Sequence, residues 1–474
     1  VSEDAACFLQ FSIVIVANHA LSLSELLALD RVLFPAGIPL VIARANGFIG
    51  LLQLVNPQHF VIEAKPDFPV FQLRISEPWP ELEAIANSLQ PETMTSQQFS
   101  HVPYILLLLR CLKLWRSETD GTAERVPTTK EEKARFQALL AEFNLFGRGG
   151  GGVADAEDCA GGENRPQDGN SAEVLGDTAG SAARIMLYEN LEAATKNAYR
   201  AWAEPSLPYQ FDGLRESVHA EFPRAIEQYR KRDCKRTRDA LVFWTIARAL
   251  AEFVTEQGSG VHLPLPGNIP DMTADTQSYL ALQKLYHTKA EEDSAWVYAR
   301  VQEHLAAADI DAATVVTEEV VKRHCRNAYF LDVLRTPSLS DEHSSEVTPS
   351  EELLDSIKNE GGDALFYVLF RASERFADRY GRQPGAVDME ADIPLLQEQV
   401  SCLLTDMNLP THLVSEDLIH EMCRYGGAEL HSVAAFVGGL GSQEVVKLLT
   451  HQYTPINSVL LYNGMTNSSV VVQP

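Results

Sequence analysis

Covalent chemistry would fall first to cysteine, and the chain carries seven: Cys7, Cys111, Cys159, Cys234, Cys325, Cys402 and Cys423. A thioester nucleophile has to be a thiolate near neutral pH, which takes a base, a cation or a helix N-terminus beside it. Cys111 sits in an apolar run, where burial disfavours the thiolate. Cys234 sits in a basic run and is the one electrostatically favoured candidate. No CxxC pair occurs, and the odd, scattered count suits a reducing compartment rather than a disulfide framework or a zinc ribbon. His101, His420 and His431 lack metal-ligand spacing, and HExxH and its relatives are absent. His101 precedes a helix and reads as a cap or core residue; Glu421 beside His420 is too little for acid–base work.

Phosphate chemistry needs backbone N–H groups converging from a glycine loop between a strand and a helix. Residues 147–152 (Gly-Arg-Gly-Gly-Gly-Gly) match GxGxxG in form, but a helical pattern precedes them and an acidic, glycine-rich stretch follows. That context reads as a linker. No GxxxxGK[ST] occurs, so the chain lacks a recognisable ATP cradle. Gly438, Gly439 and Gly441 fall inside a helical pattern, where each costs about 1 kcal/mol relative to alanine; close approach of another backbone is the expected reason. Residues Arg224–Arg238 hold seven basic residues in fifteen, which reads as a solvated helix face, an acidic-partner patch or a nuclear import signal. In IPDMTADTQSYLALQKLY (269–286), Asp271 or Thr273 is placed to cap a helix, and Tyr279, Leu282, Leu285 and Tyr286 share one face. That face is either a core stripe or an interface. In the second case Tyr279 and Leu282 are the side chains whose replacement by Asp should separate the partners.

The elements that position these residues come from 474 residues, roughly three domains' worth of chain. Forty-five per cent hydrophobic residues against 22% charged provide for a sizeable core. Thirty-nine basic and 65 acidic residues leave a net charge of −26, which repels nucleic acid and anionic membranes unless a local basic patch overrides it. The longest apolar runs, such as Tyr104–Leu109, fall far short of a membrane span, and no signal peptide is visible. A chain that opens on Val1 and runs almost at once into a strand is expected to have its true N-terminus upstream.

FSIVIVA (11–17) reads as a strand buried on both faces, followed by a helix over 22–34, a stop at Gly37 and a second buried strand, IPLVIA (38–43). Asn46-Gly47 predicts a hairpin into a third, antiparallel strand, FIGLLQLV (48–55). From about 80 to 410 the periodicity is helical. Pro103 is placed to start a central helix that is apolar nearly all round over Tyr104–Trp115, and an amphipathic helix follows over Thr129–Phe143. Residues 147–183 carry too few large apolar groups to order and read as a disordered loop. Helical signals resume over 184–203, 237–255, 276–305, 362–380 and 393–407. Ser415 then introduces a short helix, 430–450 is a long one, and SVLLY (458–462) and SVVVQ (469–473) are strands. The predicted fold class is α/β, divided as 1–58, a helical insertion over 59–410, and 411–474.

Taken together, FSIVIVA, IPLVIARANGFIG, SHVPYILLLL, FWTIARALAEFV, GNIPDMTADTQSYLALQKLY, CRYGGAELHSVAAFVGGLGSQEVVKLLT and LLYNGMT closely resemble the regulatory subunits of neddylation-activating enzymes, from about Phe8 to Val472. The resemblance implies a ThiF/MoeB-like (Rossmann-like) adenylation fold, N-terminally incomplete here, interrupted by a large, mainly helical insertion domain. It implies a heterodimer in which the catalytic subunit binds ATP and magnesium, adenylates a ubiquitin-like modifier and captures it on a cysteine. The regulatory chain holds no cofactor or metal and is not catalytic alone. It also implies residence in cytoplasm and nucleus, with neither nucleic acid nor a membrane span involved. The family's partner-facing positions match His101 and the stretch Asp271, Met272, Thr273, Ala274, Asp275, Thr276, Gln277, Ser278, Tyr279, Leu280, Ala281, Leu282, Gln283 and Lys284. Two rival readings remain: a self-sufficient ThiF-type adenylating enzyme whose ATP loop lies upstream of Val1, and a helical interaction module acting outside modifier conjugation.

Overall fold

The structure is a computed structural model that describes residues 5–67, 71–119, 125–146, 188–344, 349–358 and 362–474. The glycine-rich segment 147–183 lies outside the described residues. Strand β1 (Val14–Ala17) runs parallel to β2 (Leu40–Asn46), with Val14 opposite Leu40, and α1 (Leu23–Leu33) makes the crossover. A capping box opens α1: Glu25 N–H donates to Ser22 Oγ, and Ser22 N–H donates to Glu25 Oε2. Gly37, at φ +69°, turns the chain out of the helix as its N–H donates to Phe34 O.

Strand β3 (Ile49–Val55) returns antiparallel with Ile49 opposite Asn46. The turn pair is therefore Gly47-Phe48, one residue later than expected. Gly47 has φ +56°, and a Cβ there would run into the Tyr425 ring. After β4 (His59–Val61) come α2 (Pro80–Ser88), α3 (Ser96–Ser100), α4 (Tyr104–Glu118), α5 (Lys130–Phe146) and α6 (Glu189–Lys196), which share one core. Leu107, Leu108 and Trp115 of α4 are fully buried, as its all-round apolarity predicts. A second core joins α7 (Tyr209–Lys231), α8 (Lys235–Glu256), α9 (Thr276–Ala307), α10 (Ala312–Val315) and α11 (Glu318–Arg326). Strand β5 (Asp332–Leu334) then pairs with β4, closing a two-stranded stem at the base of these helices.

The remaining helices are α12 (Leu339–Glu342), α13 (Glu351–Lys358), α14 (Leu365–Tyr380), α15 (Met389–Asp406), α16 (Glu416–Arg424) and α17 (His431–Thr450), followed by β6 (Val459–Asn463) and β7 (Ser468–Val472). The sheet order is β1-β2-β3-β6-β7, parallel only between β1 and β2. Side chains alternate across it. Leu51 and its partner Leu461 face α14–α16, whereas Leu52 and its partner Leu460 face α17. Arg44 pairs with Glu374 beneath α14, and Glu342 Oε2 accepts from Gln53 Nε2 at 2.7 Å.

Two expectations change. Helices α13–α16 share their core with β3, β6 and β7, so residues 59–410 do not pack as one helical unit; the stem at β4–β5 marks where the insertion leaves and rejoins the sheet. Among the described residues β1 is an edge strand, with Val14 and Val16 buried but Ile15 55% exposed, so these residues cover it on one face rather than two. No described helix is long and apolar enough to cross a membrane.

Candidate partner interface

The two strings expected to face a partner meet. Asp275 N–H donates to His101 O at 3.0 Å, fixing the start of α9 against the end of α3. His101 itself is exposed, with Nδ1 2.9 Å from Gln97 O and 3.0 Å from Ser100 Oγ, so it caps its own helix end. The cap of α9 is Asp275, whose Oδ1 accepts from Ser278 N–H at 2.9 Å; neither Asp271 nor Thr273 takes that role. Asp275 is held below the usual carboxylate range by hydrogen bonds from the Ser278 side chain and backbone.

Residues 271–284 have two faces. Leu282 and Tyr286 are fully buried, and Tyr286 Oη–H donates to Leu73 O while its ring meets Trp79 edge-on at 4.9 Å. Met272 and Tyr279 are half-buried against the same core. Only Asp271, Asp275, Thr276, Gln277, Leu280, Ala281 and Lys284 point outward, with Leu280 54% exposed. An Asp at Leu282 would therefore break this chain's own core rather than report on a partner.

A larger outward face lies on α17. Its inner side, Val433, Val437 and Leu448, packs on Leu52, Leu54 and Leu460. Its outer side carries Ser432, Ala435, Phe436, Gly439, Ser442, Gln443, Val446 and Leu449, all exposed. The helix has two formally charged side chains, and both are used internally. Glu444 is 2% exposed, accepts from Ile456 N–H at 2.8 Å and pairs with Lys447 at 2.7 Å. Gly438 and Gly439 have nothing within 4 Å of where a Cβ would stand, so no described residue supplies the expected close backbone. Of the three, only Gly441 has a neighbour close to where a Cβ would stand, Leu52 Cδ1 at 3.4 Å from that position. An exposed twenty-residue helix face without formal charge has the composition of an interface centre.

No protein-family model matches the chain. It is 32% identical over 473 residues to the NEDD8-activating enzyme E1 regulatory subunit of Danio rerio, covering 99% of this chain and 79% of that protein. The corresponding subunit of Drosophila melanogaster is 32% identical over 469 residues, covering 98% and 76%, and one from Arabidopsis thaliana is 30% identical over 471, covering 99% and 79%. The chain belongs to the NEDD8-activating enzyme E1 regulatory subunits. The mixed sheet with its helical insertion is the ThiF/MoeB-like class expected for that family, and the two rival readings are not favoured.

In this regulatory subunit the thiols divide by environment. Burial pushes Cys111 and Cys325 far above the ordinary thiol range and Cys423 up to about 11. Cys234 is at the N-cap of α8; partial burial raises it, but hydrogen bonds from Thr237 and the Arg236 charge hold it below its ordinary value. No described group of three or more His, Cys, Asp or Glu is arranged to hold a metal. Beyond the carboxyl ends of β1 and β2, where open α/β sheets take ligands, lies a small polar cleft lined by His19, Ser22, Arg44, Glu374 and Arg382. Of the first N–H groups of α1, Ser24 N–H donates to Asp378 Oδ1 and Glu25 N–H to Ser22 Oγ, and the Glu374 carboxylate lines the cleft, which disfavours phosphate.

Proposed function

We propose that this chain is the non-catalytic half of a heterodimer. It buries surface against a catalytic subunit that binds ATP and magnesium, adenylates the ubiquitin-like modifier and holds it as a cysteine thioester. Its mechanism is shape: a charge-free helix face and a rigid sheet behind it hold the partner in one geometry. The observation that carries this reading is the outer face of α17, where Phe436, Val446 and Leu449 are exposed around unfilled glycines. Exposed apolar side chains on a helix without outward charge lose water contact favourably when a partner covers them. His101 and the outward side of 271–284 form a second, smaller contact in the same proposal. It extends to residence in the cytoplasm and nucleus; the free thiols among the described residues fit a reducing compartment. The net charge of −26 makes nucleic acid a poor partner for the molecule as a whole.

The test is co-purification of the full chain with its catalytic subunit, comparing wild type with Phe436→Asp/Val446→Asp and, separately, Leu280→Asp. The first pair is expected to abolish co-elution and modifier-dependent ATP–pyrophosphate exchange. Leu280→Asp is expected to weaken both to a smaller extent. Unchanged co-elution of the α17 pair would sink the interface. A reductant-sensitive adduct between the modifier and the chain alone would sink its non-catalytic role.

A further inference from the structure

The basic run Arg224–Arg238 was not absorbed by the heterodimer. It folds into one corner: the end of α7, a turn, and the start of α8. Three of its seven cations are neutralised in place, Arg224 by Glu221, Lys231 by Glu227 and Arg238 by Asp233. The other four, Arg230, Arg232, Lys235 and Arg236, have no carboxylate within 4.0 Å among the described residues. Two of them are held in place by neutral groups. Arg230 Nη2 donates to Ala308 O at 2.6 Å, and Arg236 Nη1 donates to Phe11 O at 2.9 Å, so their charge is positioned but not cancelled. Arg236 Nε is enclosed without a partner. Burial chiefly lowers the Arg236 pKa, with Cys234 acting to raise it and the Arg232 charge adding a smaller lowering.

The start of α8 compounds the strain. This helix of 22 residues has no acid in its first turn and opens instead on Lys235, Arg236 and Arg238. Cations there oppose the positive end of the helix dipole. Of the acids near the corner, Asp233 is taken by Arg238, and Asp239, 3.9 Å from His451, acts on Lys235 without an ion pair within 4.0 Å. In a chain with 26 more acids than bases, four cations of one short run, spanning the end of α7 and the start of α8, are left without an ion pair among the described residues and would gain from an arriving anion.

We infer that the α7–α8 corner docks a short acidic segment of another polypeptide through Arg230, Arg232, Lys235 and Arg236. The length of the occupant follows from screening. At physiological salt charges are felt over about 8 Å, so a few carboxylates sense only the corner. A nucleic acid or an anionic bilayer would extend over the acidic remainder and be repelled.

The experiment uses the full chain and fluorescein-labelled hexaglutamate, read by anisotropy at about 50 and 200 mM salt, where ionic contacts separate. Wild type is expected to bind, more weakly at the higher salt. Arg232→Glu/Lys235→Glu is expected to weaken binding at least about tenfold, the loss of two charge-assisted contacts. Lys235→Glu also places an acid in the first turn of α8, so the thermal midpoint should hold or rise. If that pair does not melt cooperatively, Arg232→Gln/Lys235→Gln asks the same question. Lys130→Glu/Lys358→Glu, which changes net charge equally elsewhere, should leave binding within about twofold, the scale of an unspecific field effect. The inference is overturned by absence of binding at the lower salt, by equal losses in both reversal pairs, or by tighter binding of a thymidine oligonucleotide of equal charge.

Discussion

Leu280 and Leu282 are two residues apart on α9 and do opposite work. Leu282 is fully buried beside Tyr286, while Leu280 is 54% exposed. Leu282→Ala should cost about 2–5 kcal/mol in urea denaturation, whereas Leu280→Ala should change stability by less than about 0.5 kcal/mol. Equal effects would mean the helix is rotated from the orientation described. Histidines set a second residue-scale property. Burial holds His324 at about 4, His343 at about 4, His19 at about 4 and His59 at about 3, all below the ordinary 6.5. The folded state keeps these rings neutral, and His324 Nδ1–H donates to Val320 O at 2.7 Å. The unfolded chain takes up protons as pH falls through 6.5, so stability is full above that value and is lost between about 6.5 and 4. Glu342 opposes this in part. Burial raises it to about 7, so its contribution is present at low pH and is lost as pH rises from 4.5 to 7. His262, His304 and His451 are lowered as well, so the depressed rings outnumber the raised carboxyls Asp30, Asp239 and Glu342, and denaturation at pH 5 should show a less stable protein than at pH 7.5. Each ring contributes up to about 1.4 kcal/mol per pH unit within its window. His324→Gln should flatten the slope, and a protein more stable at pH 5 would contradict the buried, neutral rings.

At the scale of elements, α17 trades helix stability for a bare surface. Glycine inside a helix costs about 1 kcal/mol relative to alanine, and Gly438 and Gly439 have open space where a Cβ would go. Gly438→Ala/Gly439→Ala should therefore raise the stability of the isolated chain by up to about 2 kcal/mol while weakening its association with the catalytic subunit. A stabilised chain that assembles as well as wild type would remove the glycines from the interface. Helix α7 shows how an element hides. Phe211, Leu214, Val218, Phe222 and Ala225 form its buried stripe at helical spacing, but Pro223 and the dense charge around it mask the periodicity. Proline removes one N–H donor and crowds the preceding turn; packing of α7 on α8 and β5 outweighs that cost.

At the scale of the whole molecule, the helical insertion meets the end of α17 at the β4–β5 stem. His59 of the β4–β5 stem stacks on His451 at 5.1 Å, and His451 Nδ1–H donates to Phe60 O at 2.9 Å, joining the end of α17 to the base of the helical insertion. A partner seated on α17 thus grips the sheet directly and the insertion through this stem. The strands, the central α4, the start of α9 and the family itself were legible in the sequence, because hydrophobic period, caps and turn residues are properties of neighbours along the chain. The meeting of His101 with the start of α9 was not: it joins residues 174 positions apart through the Asp275 N–H. Which face of 271–284 turns inward, why Gly438 and Gly439 face open space, that β1 lies at an edge, and which cations of 224–238 stay unpaired were decided by tertiary structure. Those outcomes depend on residues far apart in sequence. Arg44 and Glu374 pair across 330 positions, and α13–α16 join a sheet whose first strands were made over 300 residues earlier. Local pattern fixes what an element is; burial and charge pairing depend on what the fold brings against it.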